Sequence, residues 1–129
     1  MARIEVPVSA GELVDKVTIL EIKSERIADA GKLANVRREL AGLSAITEPL
    51  LKTNVGLAPL KASLRAINET LWQIEDDIRD CERAKDFGAK FIELARAVYR
   101  TNDQRAVAKR RIDELLGSEI LEEKSYQAY

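Results

Sequence analysis

The chain of 129 residues contains no histidine. This absence excludes Ser-His-Asp and Cys-His nucleophilic catalysis, and a histidine general base near neutral pH. It also excludes zinc sites built on histidine and the Glu-x-x-His pairs of di-iron bundles. Three possibilities remain: a hard cation bound by carboxylates, an anion bound by arginine or lysine, or no chemistry. No catalytic residue is predicted.

Cysteine, aromatic residues and long apolar runs are also scarce. The single cysteine, Cys81, excludes an internal disulfide and a Cys₄ metal site. The N-terminal MARIEVPVS lacks the apolar core of a signal peptide, and no apolar stretch reaches a membrane-spanning length. We therefore expect a cytoplasmic protein without membrane insertion.

The composition favours helices. Aromatic residues make up 5% of the chain, hydrophobic residues 46% and charged residues 33%, with only three prolines. This profile is typical of an all-α helical bundle, and the length fits one domain over residues 1–129. The net charge is −1 and basic residues alternate with acids, so we expect no binding to nucleic acid.

The run SAGELVDKVTILEIKSERI, residues 9–27, predicts a helix over about residues 10–28. It opens with a capping box made by Ser9 and Glu12. Its apolar residues form two stripes on opposite faces, one bracketed by charge. The first comprises Leu13, Val17, Leu20 and Ile27, and the second Asp15, Ile19, Ile22 and Arg26. We interpret the second stripe, together with Trp72, as an oligomer contact.

A short strand is predicted before this helix. Ile4, Val6 and Val8 alternate with other residues, and Pro7 confines such a strand to a sheet edge. A lone strand needs a partner. That partner would be the C-terminal tail near residues 120–126, the helices, or the same segment of another copy.

Two long helices are predicted next, over about residues 32–53 and 59–85. Pro49 is expected to kink or restart the first of them. The second carries an a/d seam with spacings 4-3-4-3-4-3. Its members are Leu60, Leu64, Ile67, Leu71, Ile74, Ile78 and Cys81. The short connection predicts a coiled-coil-like antiparallel hairpin on which the bundle is built.

The remaining chain predicts two shorter helices and a tail. One helix covers about residues 89–100, and a capping box at Thr101 and Gln104 opens another that stops at Gly117. The last dozen residues are either a docked tail or a frayed end.

Acidic residues on two helices are candidate Mg²⁺ ligands. They are Glu21, Glu25, Glu75 and Asp76. Carboxylates from facing helices can hold a hard cation. The alternative interpretation is a solvated helix face whose acids are paired with neighbouring lysines and arginines.

A group of arginines near the predicted turn at residues 86–88 is a candidate site for an anion. It comprises Arg79, Arg83, Arg96 and Arg100. Guanidinium groups bind phosphate and carboxylate in a fork geometry. The alternative is that acids of the run IEDDIRDCER pair with these arginines at i,i+3 and i,i+4.

The runs SAGELVDKVTILEIKSERI and LWQIEDDIRDCERAKDFGAKFIELARAVYRTND, with the closing EEKSY, resemble a bacterial family of unknown function. The core GELVDKVTILEIK is also similar to a signature of another uncharacterised helical family. The resemblance implies a setting near glycosyltransferase and surface-polysaccharide machinery. It assigns no role to any side chain.

Two functions follow as hypotheses. The first is a non-enzymatic helical interaction protein, a homo-oligomer and most simply a dimer, with a protein partner in glycan assembly. The second is a small enzyme or sensor that binds a phosphorylated or nucleotide-linked ligand through the arginine group, with Mg²⁺ as the only cofactor considered.

Overall fold

The computed structural model describes residues 2–129 and shows an all-α four-helix bundle. Its helices are α1 (Ala10–Arg26), α2 (Ala30–Thr53), α3 (Leu57–Ala84) and α4 (Ala89–Leu116). Helix α1 contacts each of the other three, and α3 packs mainly on α4. No helix among these residues is long and apolar enough to cross a membrane.

Helix α1 is the central element of the bundle. The Ser9 hydroxyl accepts a hydrogen bond from the backbone N–H of Glu12 at 3.1 Å, which confirms the predicted N-cap. Val17 is 1% exposed and Ile22, on the opposite face, is also 1% exposed. Each apolar stripe therefore contributes at least one buried residue to the bundle, because α1 has neighbours on more than one side.

The main apolar core lies where α1 begins, α3 begins and α4 ends. Its buried members are Val14, Leu57, Leu64, Ala108 and Ile112. Leu57, Leu64 and Ile112 are 0% exposed, and each such side chain contributes about 1.5–3 kcal/mol by its burial. This core fixes the ends of three helices relative to one another.

The predicted seam of α3 faces inward, but the predicted hairpin is not the basis of the bundle. Leu64, Ile74 and Cys81 are buried, as the heptad spacing requires. The connection after α2 is short, yet α2 and α3 make few contacts with each other. The seam packs against α1 and α4 instead, because these helices supply the other buried apolar faces.

Helix α2 continues through Pro49 and ends at Thr53. The prediction of a restart is therefore wrong, whereas the kink stays a prediction. A proline removes one backbone donor, and a helix of 24 residues retains its other hydrogen bonds on both sides of that position. The last turn is also stabilised locally, since the Thr53 hydroxyl donates to the carbonyl oxygen of Pro49 at 3.0 Å.

The two short helices predicted after residue 88 are one helix, α4. Thr101 is not an N-cap but a mid-helix residue that is 8% exposed. The Thr-x-x-Gln spacing can occur in a helix interior, where the preceding turn already supplies carbonyl acceptors. The predicted end is confirmed: Gly117 adopts φ +60° and the backbone N–H of Ser118 donates to the carbonyl oxygen of Asp113 at 2.8 Å.

The predicted N-terminal edge strand is absent from the described chain. Residues 2–8 have no regular secondary structure and are exposed, and no residue from 2 to 129 lies in a strand. The tail after α4 forms no strand either, so the segment has no ladder partner within the chain. We call residues 2–8 the N-terminal arm.

Candidate functional site

A buried polar centre joins α1, α3 and α4. Asp15 is 1% exposed, and its Oδ1 accepts hydrogen bonds from Asn68 Nδ2 at 2.9 Å and Arg105 Nε at 3.0 Å. Arg105 Nη2 donates to the other carboxylate oxygen, which makes the pair bidentate. Asn68 Nδ2 also donates to Thr18 Oγ1 at 3.0 Å. Three helices are thus tied together at one carboxylate.

The charges of this centre are held in place by their partners. The hydrogen bond to Asp15 raises the pKa of Arg105 against the opposing effect of its burial. The pair lies in a medium of lower dielectric than water, where an unpaired charge would be costly. Arg105 therefore stays cationic and fixed at all physiological pH values.

A second group of polar contacts closes the N-terminus of α1. The backbone N–H of Gly11 donates to Asp113 Oδ1 at 2.6 Å, and the backbone N–H of Ala10 donates to Ser118 Oγ at 3.1 Å. These contacts satisfy donors that a helix N-terminus leaves free, and the Asp113 carboxylate complements the helix dipole. The start of α1 is therefore completed by the end of α4.

Lys109 extends this arrangement toward the surface. Its Nζ lies 2.7 Å from Glu12 Oε2 and 2.7 Å from Glu122 Oε2. Burial alone would lower the pKa of Lys109, but the hydrogen bonds to the two carboxylates outweigh it and the pKa is raised. Lys109 thereby links α1, α4 and the C-terminal tail.

A groove of about 650 Å³ opens above the polar centre, between α1, α3 and α4. Asn68 and Arg105 belong to its lining, together with Ile19, Trp72 and Asn102. A volume of this size is in the range of small-molecule sites. We call this space the Trp72 groove.

A larger cavity of about 1400 Å³ lies between α4 and the C-terminal tail, residues 117–129. It shares Asn102 and Arg105 with the Trp72 groove. The tail has no helix or strand, and side chains dock it on α4. Tyr129 Oη donates to Asp103 Oδ2 at 2.7 Å, and the Tyr129 and Tyr99 rings meet with centroids 5.0 Å apart. Of the two predicted alternatives, the structure shows the docked tail.

Docking of the tail is expected to weaken in acid. Lys109 holds the pKa of Glu122 below its ordinary value of 4.5, so this contact stabilises the docked tail above pH 4.5 and is lost as the pH falls through the lowered value. The heteronuclear ¹H–¹⁵N NOE of the tail amides, measured from pH 6 down to pH 3, should fall at the acid end as the tail becomes more mobile.

The Glu122→Gln variant should lose the part of this pH dependence that the Lys109 contact supplies. The part from Asp103, whose pKa is lowered by Tyr129 and Lys124, should remain. Replacing the exposed Glu119 of the same tail with glutamine should change neither part. Equal pH profiles for the wild type and Glu122→Gln would contradict the assignment.

The four predicted metal ligands do not come together. Glu21 lies 3.1 Å from Lys61 Nζ, and Glu25 lies 2.6 Å from Arg65 Nη2. Glu75 pairs with Arg79, and Asp76 lines the Trp72 groove. Among residues 2–129 no three acidic or cysteine side chains are close enough to hold a metal ion. The acids of α1 instead bind the basic residues of α3.

The predicted arginine group is divided among separate ion pairs. Arg79 pairs with Glu75 one turn earlier, as the i,i+4 alternative requires. Arg83 pairs with Asp80, and Arg96 Nη1 lies 3.1 Å from Glu93 Oε1. The side chains of these three arginines are exposed. Arg100 is exposed on α4, and of the four only Arg79 lines the Trp72 groove.

The predicted oligomer contact is partly internal. Asp15 and Ile22 are each 1% exposed, so the chain itself encloses them. Ile19 and Trp72 are half-buried and line the Trp72 groove, and the Arg26 guanidinium lies 5.9 Å from the Trp72 ring centroid. The outward part of the predicted surface is reduced to these last three residues.

Sequence reasoning missed most of the polar centre. It identified Asp15 as part of a possible oligomer contact, but it assigned no role to Asn68, Arg105 or Lys109. A signal was present, because Arg105 and Lys109 are one turn apart on α4 and Glu12 and Asp15 are about one turn apart on α1. Two such charged pairs on different helices are complementary, although spacing alone does not show that the helices meet.

Comparisons with known proteins give one match. The model of a family of unknown function, DUF6165, matches residues 4–129. No curated protein and no solved structure matches the chain. The match covers the polar centre, the groove and the docked tail, so the features described above lie within the family region. The chain belongs to the DUF6165 family of unknown function.

Proposed function

We propose that this protein is a helical interaction protein that self-associates, most simply as a dimer, through its N-terminal arm. The observation that carries this proposal is the exposure of the arm: Ile4 is 84% exposed, Val6 67% and Val8 48%. Apolar side chains with this exposure make few contacts with the rest of their own chain, so they lose little when they contact a partner. Burial against that partner then stabilises the association.

The backbone of the arm supports the same proposal. None of the hydrogen bonds of residues 2–129 involves a backbone group of residues 2–8, and the ion pair between Arg3 and Glu5 stays within the arm. A segment whose N–H and C=O groups are free can become a strand on a partner by main-chain pairing. A second copy provides an identical arm, so a symmetric pair of arms satisfies both segments.

The setting of this association is proposed from the resemblance of the sequence. On this basis we propose an accessory role, with a protein partner, in surface-polysaccharide assembly. No catalytic residue is proposed.

Self-association is expected to depend on the apolar side chains of the arm. Light scattering across a dilution series should give a dimer mass for the wild type. The double variant Ile4→Asp/Val6→Asp should raise the dimer dissociation constant at least about 100-fold, since two buried apolar side chains are lost.

The matched control is Arg3→Gln/Glu5→Gln, which alters the same arm without changing its apolar residues and should remain dimeric. A wild type that has the mass of a monomer at all concentrations, or an unchanged dissociation constant for the aspartate variant, would refute the proposal.

The alternative function is a small enzyme or sensor for a phosphorylated or nucleotide-linked ligand. For this function the Trp72 groove is a better candidate binding site than the arginine group that the sequence predicts. Three of the four candidate arginines lie outside the Trp72 groove. The groove is open to solvent and offers the volume, the aromatic ring and the polar groups that such a ligand requires. The alternative therefore rests on the groove.

A further inference from the structure

At the floor of the Trp72 groove, one side-chain oxygen accepts no hydrogen bond from any group of residues 2–129. Asn68 is 6% exposed, and its Nδ2 donates to Asp15 and Thr18, but its Oδ1 accepts no hydrogen bond within residues 2–129. Every fully buried side-chain oxygen or nitrogen of these residues has a partner. Asn68 Oδ1 must therefore reach open space, and the groove that Asn68 lines is that space.

Two side chains of α4 add further polar groups beside it. Asn102 lines the groove with an amide that makes no hydrogen bond in the described chain. Arg105 uses Nε and Nη2 on Asp15, and its side chain is 29% exposed. A guanidinium has five N–H donors, so Arg105 keeps some for another acceptor. The floor thus offers an acceptor, a complete amide and fixed donors.

An aromatic wall stands next to these groups. Trp72 is half-buried in the groove, and its indole N–H has no partner among residues 2–129. A planar ligand gains both stacking and hydrogen bonding on such a ring. At the rim, Lys23 forms no ion pair within residues 2–129, and Arg79 shares its charge with Glu75.

We propose that the Trp72 groove binds a nucleobase-containing ligand that carries at most one phosphate. The base stacks on Trp72, and its polar edge donates to Asn68 Oδ1 and pairs with the Asn102 amide. Asparagine amides match base edges in this manner, and stacking on an aromatic ring contributes about 1–3 kcal/mol per base.

The charges of the rim set the upper limit on phosphates. Lys23 and Arg79 are opposed there by Glu75 and Asp76, which, within residues 2–129, leaves Arg26 beside Trp72 as the one unopposed charge for a phosphate and too little positive charge for a triphosphate. An inorganic anion alone would leave Asn68 Oδ1 without a donor, and an apolar ligand would bury it at a cost of about 1–3 kcal/mol. The proposal rests on the alternative function above and is independent of self-association.

The only tryptophan of the chain makes the test direct, because intrinsic tryptophan fluorescence reports on the groove alone. The four ribonucleoside monophosphates, their nucleosides and triphosphates, inorganic phosphate and glucose 6-phosphate are titrated separately. At least one monophosphate should change the fluorescence saturably, the matching triphosphate should bind more weakly, and inorganic phosphate should have no effect.

Asn102→Ala should weaken this binding about 10-fold, the equivalent of one lost amide contact. It should fold normally, because the Asn102 side chain has no partner to lose. Asn35→Ala on the exposed side of α2 is the matched control and should bind like the wild type.

Two results would overturn the proposal: no fluorescence change with any monophosphate or nucleoside up to millimolar concentration, or equal binding by Asn102→Ala and the wild type. A saturable fluorescence change with glucose 6-phosphate, and none with any nucleotide or nucleoside, would support the alternative function and refute binding of a nucleobase. Binding by the monomeric Ile4→Asp/Val6→Asp variant would confirm that the groove acts independently of the arm.

Discussion

Replacing Gly11 with alanine is expected to destabilise the fold by about 3 kcal/mol, although alanine is the better helix former. A Cβ at this position would lie 2.4 Å from the backbone oxygen of Lys109 and 3.0 Å from Asp113 Oδ1. The nearer atom belongs to the backbone of α4, so it cannot turn aside as a side chain would. Helix α1 must move away from α4, and the 2.6 Å hydrogen bond from Gly11 to Asp113 weakens with it.

Urea unfolding followed by circular dichroism measures this effect, and Gly42→Ala is its control. Nothing lies within 4 Å of a Cβ at Gly42, which is a mid-helix residue of α2. The control should therefore stabilise the protein by about 0.5–1 kcal/mol. A loss below 1 kcal/mol in Gly11→Ala would mean that the approach of α1 to α4 is looser than the structure has it.

Replacing Arg105 with methionine is expected to destabilise the fold by about 3–5 kcal/mol, because it leaves the buried carboxylate of Asp15 without its cation. Methionine keeps much of the side-chain volume, so the effect reports on charge rather than on packing. Adding Asp15→Asn to this variant should recover about 1–3 kcal/mol, since the neutral amide can still accept the hydrogen bond from Asn68.

The same unfolding measurement on Arg96→Met provides the control. Arg96 and Glu93 form an ion pair of comparable length whose side chains are 45% and 67% exposed. Exposed pairs of this kind contribute little, so the control should lose less than about 0.5 kcal/mol. The interpretation fails if Arg105→Met is as mild as the control, or if the double variant is no more stable than Arg105→Met.

Local patterns predicted the helices well where a helix has an explicit start or stop signal. The capping side chain of Ser9 and the positive φ of Gly117 both follow from residue type and position. The heptad spacing identified the buried face of α3 in the same manner. The restart predicted at Pro49 and the helix start predicted at Thr101 fail for different reasons. At Pro49 the hydrogen bonds on either side of the proline keep the helix continuous, and at Thr101 tertiary packing buries the residue in mid-helix.

The pairing of helices and the polar centre could not be predicted in the same way. The heptad spacing shows which face of α3 is buried. It does not show that α4 rather than α2 is the main neighbour of that face, because this depends on how all four helices pack together. The partner of Asp15 on α4 is 90 positions away, and no periodicity links the two residues. The Trp72 groove combines residues that the sequence divided among a metal site, an anion site and an oligomer contact, because it is formed only when α1, α3 and α4 meet.

The hydrogen bond between Gly11 and Asp113 also sets an order of events during synthesis, since the two residues are 102 positions apart. At about 5–20 residues per second, the ribosome adds the missing partner roughly 5–20 s after the first helix has been made. An isolated helix of 17 residues is marginal in water, and throughout that interval α1 lacks the apolar surface of α4 that covers its start. The first helix to be translated is therefore the last to be completed, and nascent chains stalled before residue 113 should present α1 to chaperones.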